Sequence, residues 1–512
     1  MNRRDVLLLG AGLIAGCGRQ SKARQITGSF AGASHEIGHL LRDGAIPRPS
    51  RTRRVPVAIV GGGVAGLSAG WRLSRKGFSN FEILELESEA GGNARFGVNQ
   101  VSAYPWGAHY VPPPTKESRF VRELFEELGV ITGYENGEPV YKEEYLCFDP
   151  QERLYMHGRW QDGLVPLVGT TAKDHEDFDR FKDIVDEYKR RRAFTIPMEF
   201  SAHDKDLVEL DTISIQDFLN AHGLQSPALH WYVNYACRDD YGCNYRDVSA
   251  WAGIHYFASR DMDDAAVLTW PEGNGWIVRR LREKLADHIK TGLLVYRVTQ
   301  KSVEVYDVRE KTSTEIQADR IIFACPAYLA KYVVEDPPQV DAFEYAPWLV
   351  ANLTLDSFPY ERAGVQVAWD NVIYDSESLG YVVATHQSLR TFQPETVFTF
   401  YHPLTGPSPA TERTRLLNTS WQSWVDFILT DLSKPHPEIR DLVRNVDIMR
   451  WGHAMIRPKP GFIWGEQRRR LTQPFGNIHF AHSDLSGLSL FEEAQYRGVT
   501  AADWAFQSLL VI

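Results

Sequence analysis

The chain has 512 residues, of which 43% are hydrophobic, and this is enough to build a large core shared between two lobes. Its net charge of -10 and the lack of a basic stripe in its body argue against nucleic acid as a partner. No apolar stretch after the N-terminus approaches the length of a membrane span, and the spacing of the five cysteines fits no metal site.

The N-terminal segment indicates export. Arg3 and Arg4 precede an apolar core that is too short to span a bilayer, as is typical of a twin-arginine (Tat) signal. Residues 13–17 resemble a lipoprotein cleavage box, in which Cys17 becomes the acylated first residue. We therefore expect the mature protein on the periplasmic side of a membrane, held there by a lipid anchor only. A signal cut elsewhere and an uncleaved anchor are the alternatives.

A strand, a glycine-rich turn and a helix are predicted from residue 57 onward. Gly61, Gly63 and Gly66 form the pattern G-x-G-x-x-G directly after an apolar run. The first glycine permits a tight turn, the second lets a pyrophosphate approach the backbone, and the third lets the helix pack on the strand. A second strand ends at Glu85, about twenty residues further on, where a carboxylate would accept a hydrogen bond from an adenosine ribose. The pattern predicts a dinucleotide-binding lobe.

The next turn, with Gly91, Gly92 and Arg95, indicates which dinucleotide is bound. A strand that ends in an acid and runs into a Gly-Gly-Arg turn resembles the flavin-containing amine oxidoreductase family. The resemblance implies FAD rather than NAD. Residues 295–298, 321–326 and 477–498 resemble later segments of the same family, in the same order.

The closing segment matches the family with two replacements. Asp484 is aligned with the family's acid near the flavin ribityl chain. His482 and Glu493 occupy positions where the family has glycines. Together the matched segments imply a set of FAD-binding residues: Gly61, Gly63, Ala65, Gly66, Glu85, Gly91, Gly92, Arg95, Val298, Asp484 and Ala494.

The matches divide the chain into alternating segments. A signal at 1–17 and a polar linker rich in Gly, Ser and Pro at 18–54 precede an FAD-binding lobe at 55–115, 265–345 and 446–512. A substrate or cap lobe is expected at 116–264 and 346–445. The predicted fold class is α/β, with a discontinuous Rossmann-like FAD-binding lobe and an α+β substrate lobe.

Catalytic candidates follow from flavin chemistry, in which the cofactor takes the hydride and the protein supplies orientation and electrostatics. Residues 106–110 resemble the family's glycine-containing loop near the flavin, so His109 is a candidate, and Trp451 and His453 are candidates on a later segment. A histidine could accept a substrate proton near neutral pH. Residues 238–240 could grip a polar substrate, but a solvated surface loop is the favoured interpretation.

Two positions depart from the family. Many relatives have a lysine that holds a water near the flavin, and Asn352 is aligned with it; an aromatic residue before the closing helix is replaced by Leu490. A neutral amide would remove electrostatic help for the reaction of reduced flavin with oxygen. We therefore expect slow reoxidation by oxygen and a quinone or protein as the electron acceptor.

The sequence predicts an FAD-dependent oxidoreductase that removes a hydride from a C–N or C–C bond of a small or amphiphilic substrate. The electrons would pass to oxygen, a quinone or a protein. An isoprenoid or carotenoid-type desaturase is the alternative enzyme. A membrane-tethered electron-transfer or assembly partner, with no small-molecule substrate of its own, is the alternative from another class.

Overall fold

The computed structural model describes residues 25–260 and 266–510. Its first lobe is built on a five-stranded parallel sheet, here called the nucleotide sheet, with the strand order Ile289–Thr291, Phe81–Glu85, Val57–Val60, Arg320–Phe323 and Ile478–Phe480. The central strand Val57–Val60 is buried at every position, because both faces of an interior parallel strand are covered.

Helices from distant parts of the chain cover the nucleotide sheet. They are Val64–Arg75, Gly275–Lys284 and Phe491–Leu509. The first and last of these approach so closely that a Cβ on Gly498 would lie 2.1 Å from the carbonyl oxygen of Ala65. Only glycine permits this approach, and it brings the two ends of the body into one lobe. The predicted discontinuous FAD-binding lobe is confirmed.

The second lobe contains an eight-stranded mixed sheet, here called the substrate sheet. Its strand order is Phe30–Gly32, Val443–Ile456, Tyr345–Leu355, Thr396–Pro403, Gly380–Val383, Asp370–Ile373, Glu152–Met156 and Arg159–Asp162. Side chains alternate between its faces. Leu349, Ala351 and Leu353 pack toward the helix Trp421–Leu432, while Trp348 and Val350 face the opposite side, toward the first lobe.

The remaining helices and small sheets complete the second lobe and lie at the border of the first. Larger helices of the substrate lobe are Ala172–Arg190, Ile215–Ala221, Pro227–Tyr241, Ala250–Ala258 and Pro409–Asn418, and Arg119–Glu127 lies beside the closing helix. Shorter helices are His35–Gly38, Leu40–Asp43, Lys205–Glu209, Ala330–Val333, Ile439–Leu442 and Glu466–Leu471. A four-stranded sheet has the order Leu293–Val298, Ser302–Asp307, Thr312–Gln317 and Arg51–Arg54. Three two-stranded antiparallel sheets pair Phe96–Val98 with Ala103–Pro105, Tyr110–Val111 with Leu268–Thr269, and Ile131–Glu135 with Glu138–Tyr141.

Two segment limits differ from those expected. Within the expected linker, Phe30–Gly32 pairs with the substrate sheet and Arg51–Arg54 with the four-stranded sheet. Both are edge strands, and the four residues of Arg51–Arg54 are all exposed, so a polar sequence can pair its backbone while its side chains meet water. The strand Val443–Ile456 also runs across the expected limit at 446, so this limit divides a single strand of the substrate sheet.

The predicted signal, residues 1–17, lies outside the described residues. Within residues 25–260 and 266–510, no helix combines the length and apolarity needed to cross a membrane. Cys147, Cys237, Cys243 and Cys325 are all free thiols.

Candidate functional site

The first glycine turn leaves space at one of its three glycines. Gly61 has a φ of +102°, and a Cβ there would lie 2.7 Å from the carbonyl oxygen of Ala324. A Cβ on Gly66 would lie 1.9 Å from the carbonyl oxygen of Gly61. By contrast, a Cβ on Gly63 would find its nearest heavy atom, the Cα of Gly92, 3.9 Å away. The protein itself requires the first and third glycines, whereas the second faces open space.

The second glycine turn lies directly against the first. The backbone N–H of Gly91 donates to the carbonyl of Gly62 at 2.8 Å. A guanidinium nitrogen of Arg95 lies 3.3 Å from a carboxylate oxygen of Glu87, and the guanidinium lies 5.5 Å from the ring centroid of Trp451. The Nε of Arg95 is buried with no hydrogen-bond partner, so this side chain has an unused donor beside the turn.

Glu85 is held at the end of its strand by two backbone donors. Its carboxylate accepts from the N–H groups of Gly62 and Glu87, both at 2.8 Å, and the residue is 9% exposed. Burial raises the pKa of Glu85, against the lowering effect of these hydrogen bonds. A ribose hydroxyl would be a further donor to this carboxylate, and it would stabilise the ionised form.

The closing segment places Asp484 at the join of the two lobes. Its carboxylate accepts from the backbone N–H of Ala327 at 2.8 Å and from the hydroxyl of Tyr345, and it lies 3.1 Å from Nδ1 of His482. Burial works to raise the pKa of Asp484, but His482 and these hydrogen bonds outweigh it, and the pKa is lowered. Ala494 follows on the closing helix and packs on the core of the nucleotide lobe, as Ala65 does.

Val298 is the one FAD-binding candidate that the structure does not bring to this region. The strand Leu293–Val298 approaches the turn at its beginning, where the N–H of Gly292 donates to the carbonyl of Glu87 at 3.2 Å. Val298 lies at the far end, roughly 17–20 Å along the strand, where it is buried and bridges to Val334. The contact of Val298 with FAD stays a prediction.

The loop at 105–109 connects the two lobes through its carbonyl groups. Three strands of the substrate sheet each donate one side-chain hydrogen bond to it: Asn352 to Pro105 at 3.0 Å, Trp451 to Trp106 at 2.7 Å, and Tyr401 to Gly107 at 2.8 Å. Thr269 adds a bond to the carbonyl of His109 at 2.8 Å. Asn352 is 1% exposed, and its oxygen accepts from Thr399, so the contacts show a positioning role.

We expect Tyr401→Phe to loosen this loop. The substitution keeps the ring but removes the hydroxyl donor from the partly buried carbonyl of Gly107, which should lower the free energy of unfolding by about 1 kcal/mol. Thermal melting of the purified protein would measure this. Tyr360→Phe is the control, because Tyr360 is 73% exposed. Equal melting temperatures for the two variants would contradict the proposed contribution of the bond.

The three catalytic candidates other than Asn352 line the same region. The ring of His109 stacks on Tyr401 with centroids 4.6 Å apart, and burial lowers the pKa of His109 to about 4. His453 stacks on Tyr328 at 4.3 Å, and burial lowers its pKa to about 4 as well. Both histidines are therefore neutral at physiological pH. Trp451 and His453 share one face of the strand Val443–Ile456.

Three carboxyl groups that face this region have raised pKa values. Glu152 and Asp370 are directly opposed on adjacent parallel strands, and Asp239 lies on the last turn of the helix Pro227–Tyr241. Burial, then the charges of Asp240 and Glu152, raises the pKa of Asp239 to about 8. The adjacent Asp240 is a fourth carboxyl group here, and burial raises its pKa to about 6. Burial also raises the pKa values of Glu152 and Asp370, and the charges of Glu152 and Asp239 raise that of Asp370 further. No ion pair involves these three among the described residues.

The position of Asp239 corrects the sequence interpretation of residues 238–240. They form the end of a helix, not a solvated surface loop, and Arg238 is 6% exposed. The guanidinium of Arg238 donates to the backbone carbonyls of Ser376 and Glu377 at 3.3 and 2.9 Å. The charge of Arg238 lowers the pKa of Asp239, but Arg238 forms no ion pair with it.

A profile of the family described as flavin containing amine oxidoreductase matches residues 64–504. The chain belongs to this family. It is therefore an FAD-dependent oxidoreductase of amine oxidase-like type, as the sequence predicts.

Solved amine oxidases share the fold of this amine oxidoreductase. Wild-type putrescine oxidase bound to putrescine matches with a TM-score of 0.67 at 17% identity, covering 88% of this chain and 99% of that one. Cyclohexylamine oxidase from Brevibacterium oxydans gives 0.65 at 15% identity, over 89% and 100%. A CLA-producing fatty acid isomerase from P. acnes gives 0.59 at 14% identity, over 88% and 98%. A search of curated proteins found no match.

The glycine turns of this amine oxidoreductase fit FAD. The open space at Gly63 suits a pyrophosphate, the unpaired Nε of Arg95 suits a phosphate oxygen, and Glu85 suits the adenosine ribose. Glu493, in place of the family glycine, has its carboxylate directed away to the backbone N–H of Met198 at 2.6 Å. Burial raises its pKa to about 7. The backbone N–H of Met198 therefore provides a hydrogen-bond donor for the acid that replaces the family glycine.

Sequence reasoning missed Tyr401, Glu152 and Asp370. A signal for the two acids was present: Glu152 alternates with the buried Leu154 and Met156, and Asp370 with the buried Val372. Acids in register with buried apolar residues lie on the same strand face as those residues, although Glu152 itself is exposed and Asp370 is half-buried. Tyr401 had no such signal, because its hydroxyl partner is on a loop nearly three hundred residues earlier in the chain. The role of Asn352 in flavin reoxidation stays a prediction.

Proposed function

We propose that this enzyme oxidises the carbon–nitrogen bond of an amine that binds as a cation. The observation that carries the proposal is the carboxylate of Asp239, which has no ion-pair partner among the described residues. It lies near Tyr110, the residue next to His109, because burial and then the charge of Asp239 raise the pKa of the Tyr110 hydroxyl. A basic neighbour, Arg260, is occupied by Glu492 at 3.2 Å. An ammonium group would neutralise Asp239, and the surrounding aromatic rings would pack on its carbon chain.

The chain's own groups have separate tasks in this reaction. FAD, when bound, accepts the hydride. An ammonium must lose a proton before the adjacent carbon can give up a hydride, and Asp239, with a pKa of about 8, is matched to accept that proton. The neutral ring of His109 adds no positive charge that would repel the substrate. The 105–109 loop, fixed at four of its carbonyls, keeps these groups in one arrangement.

The carboxylates argue against an apolar alkene, the substrate of the desaturase alternative. Even when protonated, a carboxyl group covered by a hydrocarbon chain loses its hydrogen bonds to water, and this costs about 1–3 kcal/mol for each group. The fatty acid isomerase shares only the fold at 14% identity. A membrane-held electron-transfer partner binds no small substrate, so its function would not require acidic and aromatic side chains around the 105–109 loop.

A turnover assay with an electron-accepting dye tests the proposed function. A primary amine should lose two electrons and two protons to form an imine, which water converts to an aldehyde and ammonia while the dye is reduced. Aldehyde and ammonia should form in equal amounts from amines, and an apolar isoprenoid alkene should not reduce the dye. Dye reduction by the isoprenoid alone would instead support the desaturase alternative.

We also propose that the protein is exported by the Tat pathway and lipid-anchored on the periplasmic side. The sequence Arg3-Arg4 and the box ending at Cys17 support this. The Tat pathway transports folded proteins, which would let FAD be loaded before export. The body holds the chain from Thr27, whose hydroxyl bonds to Asn445 at 2.9 Å, so a lipid at Cys17 would keep the enzyme close to a membrane acceptor.

Cys17→Ser is expected to abolish lipidation and accumulate precursor, because the serine hydroxyl cannot form the thioether. Fractionation followed by immunoblotting would show the variant leaving the membrane fraction. Arg3→Lys together with Arg4→Lys is the matched control for export, and it should retain the protein in the cytoplasm. Normal, processed membrane attachment of the Cys17→Ser variant would replace the lipid anchor with an uncleaved one.

A further inference from the structure

We propose that the loop formed by residues 386–395 of the substrate lobe inserts into the surface of a lipid bilayer. The inference rests on the proposed lipid anchor, and it adds a second point of membrane contact that the body of the enzyme supplies. With two points of contact, the bilayer would fix which edge of the enzyme faces it.

The tip of this loop carries the two most exposed large hydrophobic side chains of the described residues. Phe392 is 82% exposed and Leu389 is 75% exposed, and Arg390 and Thr391 separate them in sequence. Single exposed apolar residues are common on protein surfaces. Two that are this close together on one loop indicate an interaction surface.

Hydrogen bonds hold the loop in a defined conformation. At its base, the side-chain amide of Gln387 donates to the carbonyl of Leu146 at 2.8 Å and accepts from the N–H of Phe148 at 2.9 Å. Across the tip, the hydroxyl of Ser388 donates to the side-chain oxygen of Gln393 at 2.7 Å. The two apolar side chains are therefore presented to the outside by a structured loop.

The loop lies at the edge of the substrate sheet where the N-terminal segment enters. It leads into the strand Thr396–Pro403, whose first residue is paired with Leu355, and Leu355 is paired with Val443. Thr27 is paired with Asn445, two residues further along the same strand as Val443. Three strand ends and the incoming segment therefore share one edge of the sheet.

Arg444 connects the loop directly to the N-terminal segment. Its carbonyl accepts from the N–H of Thr27 at 3.0 Å, and its guanidinium lies 2.5 Å from the carboxylate of Glu395 at the end of the loop. Cys17 precedes Thr27 by ten residues, which span at most about 35 Å when fully extended. A lipid on Cys17 would therefore hold this edge, and the loop on it, near the bilayer surface.

The charges around the loop are compatible with anionic lipids. Arg390 is exposed, and it forms no ion pair within residues 25–260 and 266–510. The nearby acids Glu395 and Asp356 both contact Arg444, at 2.5 and 3.4 Å. These carboxylates are therefore neutralised, while Arg390 can bind a lipid phosphate.

A fluorescent dye attached at the tip of the loop tests this insertion. Phe392→Cys and the control Leu510→Cys would each be labelled in the full-chain holoenzyme as the cell produces it. The labelled proteins would be reconstituted with vesicles of phosphatidylethanolamine and phosphatidylglycerol. Three native thiols in the described ranges are buried, and burial raises the pKa of the fourth, Cys325, so the introduced thiol reacts preferentially. Any labelling of Cys17 is common to both variants.

Leu510 is a control matched in exposure but distant in position. It is 72% exposed, and Ser508 beside it accepts from Arg320, the first residue of its strand in the nucleotide sheet. Leu510 therefore lies at the edge of the nucleotide sheet opposite the glycine turns.

We expect lipids with brominated acyl chains to reduce the emission of the dye at position 392 at least about twofold, because interfacial apolar segments lie about 5–10 Å deep, where the acyl chains begin. The dye at position 510 should keep its emission. Adding Leu389→Ser to the labelled Phe392→Cys protein should reduce the quenching, whereas adding Leu510→Ser should leave it unchanged.

Each outcome has a distinct meaning. Quenching at position 392 alone supports the inference, and equal emission changes at the two positions overturn it. Mass spectrometry of Cys17 tests the anchor separately: a lipid without quenching leaves the anchor standing, and quenching without a lipid supports the loop and refutes the anchor. A dye at position 392 that is shielded from water before vesicles are added, in a protein that light scattering shows to be a dimer, would assign the loop to a second copy of the chain and overturn the inference.

Discussion

Gly63→Val should produce a folded protein that binds FAD at least about 100-fold more weakly than the wild type, a loss of about 2.7 kcal/mol. The reason is the space at this glycine: an added Cβ meets no heavy atom closer than 3.9 Å, so the fold tolerates the side chain. The branched methyl groups would instead occupy the approach of the pyrophosphate. Fluorescence titration of the apoprotein with FAD, together with thermal melting, measures the two effects separately.

Two glycine variants serve as controls for this experiment. Gly63→Ala should weaken FAD binding less, because it adds a single methyl group. Gly66→Val should fail to fold, because its Cβ would lie 1.9 Å from the carbonyl oxygen of Gly61. Stoichiometric, tightly bound FAD in Gly63→Val would show that the open space does not receive the pyrophosphate.

Asp239→Asn should lower kcat/KM for amines by about 100-fold, because it removes both the charge that binds the ammonium and the group that accepts its proton. In the wild type, kcat/KM, which reports the ionisation of the free enzyme, should rise as the pH passes through about 8, where Asp239 ionises. That rise should be absent in the variant. Steady-state kinetics over this range, with Glu310→Gln as control, would measure both. Unchanged kcat/KM in Asp239→Asn would exclude a catalytic role.

The same substitution should stabilise the protein at alkaline pH. The folded-state pKa of Asp239 is raised from 3.8 to about 8, so the carboxyl group costs stability that appears as the pH rises from about 4 to about 8 and is complete above that. Asparagine lacks this cost. The melting temperature of Asp239→Asn should therefore exceed that of the wild type by a margin that grows across this window.

The cofactor lobe could be predicted from sequence because its signals are local. Gly61, Gly63 and Gly66 lie within one turn and Glu85 ends the next strand, so backbone geometry alone connects them. The contact of Val298 with FAD stays a prediction, because Val298 lies at the end of its strand that is remote from the glycine turns. The strands at 30–32 and 51–54 were missed because edge strands need no apolar pattern.

The substrate region could be predicted only in part, because it is built from contacts distant in sequence. Asn352 and Trp451 were found, but their hydrogen bonds to the 105–109 loop could not be, and neither could the third bond from Tyr401. The acidic character arises when Glu152, Asp239 and Asp370 meet from three separate segments. Their individual exposure and protonation depend on that meeting, which no local pattern encodes.

Anaerobic reduction of the bound flavin by an amine tests the central claim most directly. Purified holoenzyme, free of any electron acceptor, would be mixed with putrescine in a stopped-flow instrument while the absorbance of oxidised flavin is recorded. We predict complete bleaching at a rate that saturates with putrescine concentration. At low putrescine concentration, where the free enzyme determines the rate, the rate should increase with pH through about 8. Flavin that stays oxidised with every amine, but is reduced by an unsaturated lipid or by a protein donor, would contradict the assignment of this site to amine oxidation.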